Sequence, residues 1–356
     1  MSASWRDHLR PALRDIGMYD VEPADASLAR LHANECPEPW PQQVMDAVAA
    51  TVRDVELGRY PDTSGRRLRA LLGQRFACEA DRVVLGNGSD EVITMLLVAL
   101  SGQSAPIVYP VPTFVMYSHS ARVLGLPIRE VPVDDAMQLC EAAMHEALEG
   151  AALCFLARPN NPTGALWDAA LIERLMQRHP STVFVIDEAY VDYAPGESMW
   201  RADGPPNYVL LGTLSKTGLA ALRVGYCIAP SELAAALHVV RDPYNVSATS
   251  LAIAELVLTR FAGVQTAMVA RTLANRARLA RLLAAIPGAT VFPSAANLVL
   301  CRLADDGAPA ELCERLREVG VLLKDVSKIR GLERCIRASV GTDDDLDRLE
   351  RALTDP

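Results

Sequence analysis

Between residues 83 and 228, short apolar runs alternate with stretches long enough for two or more helical turns, and this alternation constrains the fold more than any other feature. The candidate strands are residues 83–85, 107–109, 152–156, 183–186, 208–211 and 223–228, several of them apolar at nearly every position. Continuous apolar runs, unlike strict apolar/polar alternation, mark strands buried on both faces, as in parallel sheets. Residues 91–100, 113–124, 141–148 and 169–177 read as the helices that would cover those faces. The pattern predicts an α/β domain built on a mainly parallel sheet. From about Ser231 the chain becomes rich in Ala, Leu and Arg and reads as helix to Ala285, followed by short strands at 290–292 and 298–301. That shift marks a second, smaller α+β domain. We expect a large domain over residues 46–244, and a smaller one combining residues 1–45 with 245–356.

A chain of 356 residues exceeds what one hydrophobic core usually serves, in keeping with two domains. Half the residues are apolar and 22% are charged, which excludes a disordered chain. With Lys+Arg 35 against Asp+Glu 44 the net charge is −9, so neither nucleic acid nor an anionic membrane is an expected partner. The eight cysteines form no Cys-x-x-Cys pair and no zinc-type grouping, so reduced thiols and no metal site are expected. Residues 1–8 lack an apolar leader core, and no run approaches the roughly 20 residues of a membrane span, which predicts a cytoplasmic protein.

In open α/β sheets, ligands bind beyond the carboxyl ends of the strands, so the loops after the strands are where chemistry is sought. Gly86-Asn87-Gly88-Ser89-Asp90-Glu91 follows one strand. Its glycines permit a tight turn and Ser89 can cap the next helix, leaving N–H groups aimed at an anion. Alone, the same loop is an ordinary strand–turn–helix link. Arg158-Pro159-Asn160-Asn161-Pro162-Thr163-Gly164 follows a buried strand, and its prolines stiffen a loop that presents Asn161. Asp187-Glu188-Ala189-Tyr190 places a carboxylate at the end of another buried strand. A carboxylate there needs a cationic or protonated partner, which a core ion pair or a ligand would equally provide. Thr213-Leu214-Ser215-Lys216 ends a further strand and Arg223 follows it. Desolvation at such a position favours the uncharged amine, the form that attacks a carbonyl.

In this order, Asn161-Pro162-Thr163-Gly164, Asp187-Glu188-Ala189-Tyr190, Ser215-Lys216 and Arg223-Val224-Gly225-Tyr226 resemble the fold-type I aminotransferases, a superfamily dependent on pyridoxal 5′-phosphate. The resemblance implies that Lys216 carries the cofactor covalently and shuttles a proton. Asp187 would hold the pyridinium nitrogen protonated, and Asn161 and Tyr190 would bond the ring's O3′. Phe114 would lie against the ring face, while Gly88, Ser89, Asp90, Ser215 and Arg223 would surround the phosphate.

Over residues 31–341 the finer details resemble the histidinol-phosphate aminotransferases. The segments concerned are Leu31-His32-Ala33-Asn34-Glu35-Cys36-Pro37, Arg59-Tyr60-Pro61-Asp62, Pro243-Tyr244-Asn245-Val246, Ala296-Asn297-Leu298, Lys324-Asp325-Val326-Ser327-Lys328 and Ile336-Arg337-Ala338-Ser339-Val340-Gly341. The implied reaction exchanges an amino group between L-histidinol phosphate and 2-oxoglutarate. Arg337, Lys324 and Asn34 would bind the substrates, and in a homodimer Tyr60 would reach the partner's cofactor phosphate. Three features depart from the family: His32 and Cys36 in the opening motif, a shortened stretch after Lys216, and Lys324 where arginine is common. An aromatic amino acid aminotransferase or a phosphothreonine-type decarboxylase on the same fold stays open. A non-enzymatic regulator does too, although it would have no need of Lys216.

Overall fold

The computed structural model describes residues 8–14, 27–100, 102 and 104–354; residues 1–7, most of the segment read for a leader, lie outside them. The described chain opens with β1 (Ala29–Arg30), α1 (Gln42–Arg53) and α2 (Arg66–Arg75). It then alternates through β2 (Val83–Asn87), α3 (Ser89–Leu100), β3 (Ile107–Val111), α4 (Val115–Leu124), β4 (Ile128–Pro132), α5 (Glu141–Leu148), β5 (Leu153–Ala157), α6 (Ala169–Arg178) and β6 (Val183–Asp187). Next come β7 (Tyr208–Thr213), β8 (Val224–Ile228), α7 (Ser231–Val240), α8 (Ala248–Arg260) and α9 (Ala262–Ala284). The chain closes with β9 (Thr290–Val291), β10 (Leu298–Arg302), α10 (Ala308–Glu318), β11 (Val321–Leu322), β12 (Lys324–Asp325), β13 (Cys335–Ser339) and α11 (Asp343–Thr354).

Strands β2 to β8 form one seven-stranded sheet in the order β2-β8-β7-β6-β5-β3-β4. Neighbours are parallel except around β8, which runs antiparallel to both β2 and β7. The six apolar runs of the sequence all became strands of this sheet. Its edge strand β4 was not legible as one, because Arg129, Glu130 and Pro132 leave only Val131 fully buried. An edge strand packed on one side has no need of a continuous apolar run.

Side-chain alternation along the strands sorts the core into two layers. Val108, Cys154, Leu156, Phe184, Ile186 and Leu210 face one layer, shared with α5, α6 and α8. Ile107, Tyr109, Leu153, Phe155, Val185 and Val209 face the other, shared with α3, α4 and α7. Helix α6 shows how the local sequence dictates an element. Asp168 caps it by accepting from the Ala170 N–H at 3.0 Å, and Ile172, Leu175 and Met176, at helical spacing, turn inward. Trp167, fully buried just before it, donates its indole N–H to the Met137 carbonyl at 3.0 Å.

A four-stranded sheet, β12-β13-β10-β9, packs with α9, α10 and α11 around a third core that includes Leu279, Val299, Leu316, Ile336 and Leu349. The early strand β1 pairs in parallel with β11, so the N-terminal segment is built into the C-terminal part of the molecule. Among the described residues no single helix is long and apolar enough to cross a membrane.

Since β8 is antiparallel to β2 and β7, its first residue lies at the same sheet edge as their last ones; Val224 pairs with Asn87, and Gly225 with Thr213. The loops after β2, β3, β5, β6 and β7 and the residue before β8 therefore open on one edge.

Candidate active site

At that edge lies a cleft of about 280 Å3, and twelve of the fourteen site residues read from the sequence line it. Asn161 comes from the loop after β5, Asp187 and Tyr190 from the end of β6, Ser215 and Lys216 from the turn after β7, and Arg223 from the residue before β8. Ser89 and Asp90 enter from the start of α3, and Phe114 from the position before α4. Asn34, Lys324 and Arg337 close the cleft from the smaller sheet and the segment after β1. A wider cleft of about 860 Å3 holds Arg75, Glu188 and Gln265 but none of these residues, so size does not locate the chemistry.

Gly88 does not line the cleft but shapes its wall. Its φ is +80°, and a Cβ there would come within 2.4 Å of the Arg223 guanidinium. Behind it a Cβ on Gly225 would meet the Ser89 backbone nitrogen at 2.2 Å, so β8 can approach the turn only as glycine. The Gly88 N–H donates to the Arg223 carbonyl at 2.7 Å, and Arg223 itself is left-handed, with φ of +51°. That conformation starts the strand at Val224, one residue later than the apolar run suggested. Ser89 is the first helical residue and not a cap outside the helix; the Glu91 carboxylate instead reaches back to the Asn87 N–H. Arg223 pairs with Asp90 at 3.1 Å, both side chains more than a third exposed. Such a pair is worth at most about 1 kcal/mol, so the guanidinium can turn to an incoming anion.

Asp187 lies at the base of the cleft, 4% exposed, and burial raises its carboxyl above the ordinary range. The partner that the sequence demanded for it is a phenol: Tyr117 Oη donates to Oδ2 at 2.6 Å, while the Ala189 N–H donates to Oδ1 at 3.0 Å. Half-buried Lys216 stands with Nζ 5.6 Å from the centre of the Tyr190 ring. Its turn is fastened by Tyr193, whose hydroxyl donates to the Lys216 carbonyl at 2.6 Å, and by Gln265, whose amide reaches the Thr217 carbonyl at 3.0 Å.

At the opposite end Arg337 donates to Asn161 Oδ1 at 3.0 Å and to the His32 carbonyl. Asn34 is buried and left-handed, and its Nδ2 lies 3.3 Å from Asn161 Oδ1 and 3.1 Å from the Tyr190 hydroxyl. Two donors thus occupy the oxygen of Asn161, which leaves its own Nδ2 for a ligand. Lys324 stands opposite Arg337 in the β12–β13 register, so two cations face the same end.

A sequence model described as aminotransferase class I and II matches residues 27–353. The chain belongs to the class I and II aminotransferase family. Among similar proteins, the histidinol-phosphate aminotransferase 1 of Burkholderia lata is 39% identical over 98% of this chain and 97% of its own. The histidinol-phosphate aminotransferase of Aquifex aeolicus is 35% identical over 96% of both. Among solved structures, the histidinol-phosphate aminotransferase of Sinorhizobium meliloti in complex with pyridoxal-5′-phosphate aligns with a TM-score of 0.86 at 26% identity, over 96% of this chain and 95% of that one.

In this aminotransferase Tyr60 is the predicted site residue that the chain does not bring to its own cleft. It is 80% exposed and stacks on Tyr244, ring centres 4.4 Å apart. Sequence reasoning missed Tyr117, Tyr193, Gln265 and Asn160. Asn160 is fully buried, with Nδ2 donating to the Pro112 carbonyl at 2.9 Å and Oδ1 accepting from Thr113 at 2.7 Å; it ties the loop after β5 to the loop after β3. For Tyr117 a signal existed: it lies three residues after Phe114, one helical turn along the same face.

Proposed function

We propose that this aminotransferase uses pyridoxal 5′-phosphate to exchange an amino group between L-histidinol phosphate and 2-oxoglutarate, giving imidazole acetol phosphate and glutamate. One observation carries the reading: an amine, a buried carboxylate, an anion cradle and a second pair of cations converge on a single cleft. The identity of 35–39% to full-length histidinol-phosphate aminotransferases supports the substrate.

The residues present fit the cofactor. Ser89 at the start of α3, Ser215 and Arg223 offer a helix N-terminus, a hydroxyl and a guanidinium to a phosphate. Asp187 offers a buried carboxylate to a protonated ring nitrogen, and it forms no ion pair within the described chain. When bound, the cofactor supplies an electron sink that stabilises charge at the substrate Cα.

Lys216 would anchor the cofactor through Nζ, and its amine would move the proton at the substrate Cα. Asp187, as a carboxylate, would keep the proton on the ring nitrogen. Asn161, through the Nδ2 that its partners leave available, and Tyr190, through its hydroxyl, donate to the ring oxygen. Phe114 covers one ring face. Arg337 and Lys324 hold the carboxylate of glutamate and the phosphate of histidinol phosphate in turn, since a guanidinium grips either anion through paired N–H groups. Asn34 completes that end of the site.

The active unit in this reading is a homodimer in which Tyr60 crosses to the partner's cofactor phosphate, working in the cytoplasm. The large domain spans residues 46–244, and the smaller combines 1–45 with 245–356. The test mixes the cofactor-loaded protein with single amino donors and follows the visible absorbance. Histidinol phosphate and glutamate should each bleach it, and 2-oxoglutarate should restore it. Bleaching by aromatic amino acids but not by histidinol phosphate would overturn the substrate, and release of CO2 would overturn the reaction.

A further inference from the structure

Tyr117 is fully buried one turn into α4, between the cleft and the core. Its ring stacks on Phe155 at 4.7 Å and 8°, and meets Phe114 edge-on at 5.6 Å, so it has a single available pose. In that pose its hydroxyl stands 2.6 Å from Asp187 Oδ2, a length typical of a hydroxyl bonded to a charged carboxylate. Burial, and after it the Asp187 charge, push the phenol well above its ordinary range, so it stays a donor at every working pH. With the Ala189 N–H on Oδ1 at 3.0 Å, both carboxylate oxygens are pinned.

We propose that Tyr117 is a positioning residue for the cofactor's ring nitrogen: its O–H fixes the orientation of Asp187 and donates to its carboxylate. The inference rests on the cofactor reading above. Packing alone would need only the ring, and phenylalanine would serve it. The hydroxyl matters because desolvation is the largest influence on Asp187 and favours its neutral form, while the Tyr117 hydrogen bond is the leading influence that opposes it. The other charged groups bearing on Asp187 are Asp90 from α3, which acts with desolvation, and Lys216 after β7, which acts against it. Its chain neighbour Glu188, itself pushed up to about 7, shares the loop.

Loss of the hydroxyl raises the Asp187 carboxyl further, so Asp187 takes up its proton at a higher pH and the ring-nitrogen contact is lost there. The test measures pyridoxal 5′-phosphate retention by equilibrium dialysis from pH 5 to 9, with thermal unfolding alongside. Tyr117→Phe should weaken retention about tenfold near neutrality, as for a hydrogen bond to a charged group. Its acid midpoint should move up by about one pH unit. Phe155→Leu, which disturbs the stack and leaves the hydroxyl, should lower Tm without moving that midpoint. Should Tyr117→Phe fail to fold, 3-fluorotyrosine at 117, a stronger donor of nearly the same shape, should move the midpoint down. An unmoved midpoint in the Tyr117 variants, or an equal shift in Phe155→Leu, overturns the proposal. Failure of the parent to retain the cofactor overturns the cofactor reading instead.

Discussion

At the scale of the residue, the site rests on two charges with opposite surroundings. Asp187 is buried and its hydrogen-bond donors are uncharged; among the described residues the cation bearing on it is Lys216, and it forms no ion pair. Asp187→Asn removes the charge and nearly keeps the shape. The expected result is a kcat lower by about 10- to 100-fold with KM little changed, the size of roughly 1.5–3 kcal/mol lost in the transition state. Single-turnover and steady-state kinetics check it, and a kcat within a few-fold of the parent would make Asp187 structural. Arg337 instead shares its donors between Asn161 and the His32 carbonyl, at the end where Lys324 adds a second cation. Arg337→Lys loses the planar fork and should lower kcat/KM for both glutamate and histidinol phosphate about tenfold. Lys324→Ala should act mainly on the phosphate ester, because a point charge matters most to a dianion. Unchanged kinetics with both donors would remove Arg337 from the site.

Elements meet at the cleft through contacts that leave no room for adjustment. A Cβ at Gly225 would sit 2.2 Å from the Ser89 nitrogen, a backbone atom that cannot rotate away. Gly225→Ala should therefore push the start of α3 off β8, costing about 1–3 kcal/mol of stability and weakening phosphate retention. Calorimetry and cofactor titration read both effects, and a variant with parental values in each would show that the turn relaxes freely. The loop after β6 is clamped differently. Buried Glu188 accepts from the Ser198 hydroxyl and the Met199 N–H, both at 2.6 Å, and burial lifts its carboxyl from 4.5 to about 7. The folded state binds this proton more tightly than the unfolded chain, so the stabilisation is complete below pH 4.5 and fades as pH rises through 7. Glu188→Gln has no proton to lose. The Tm difference between variant and parent should move in the variant's favour across that window, and a pH-independent difference would refute the buried titration.

For the whole molecule, the outlying position of Tyr60 has a testable meaning. It is exposed and stacked on Tyr244, outside its own cleft, which supports action across a dimer. Lys216→Ala and Tyr60→Ala should each be nearly inactive, and mixing them after mild denaturation should restore roughly a quarter of parental activity. Half of randomly paired dimers then carry both changes, and one of their two sites is intact. No recovery would place Tyr60 in its own subunit's service. As for the fold, the large sheet was legible because strands buried on both faces must be apolar throughout, and that pattern survives in one dimension. Edge strand β4 and the short β11 and β12 were not, since partly exposed or two-residue strands carry no such pattern. Motif order, through the family resemblance it carried, pointed to one site: Lys216, Asp187, Asn161 and Tyr190 follow the carboxyl ends of parallel strands, and Arg223 precedes the antiparallel β8, so all five come to one edge. Only the tertiary structure decided that Tyr117 rather than a cation partners Asp187, that Gln265 and Tyr193 fasten the Lys216 turn, and that Asn34 bridges Asn161 and Tyr190. These contacts join residues far apart in the chain, some more than a hundred positions, and side-chain reach across such separations is set by packing, which no local pattern encodes.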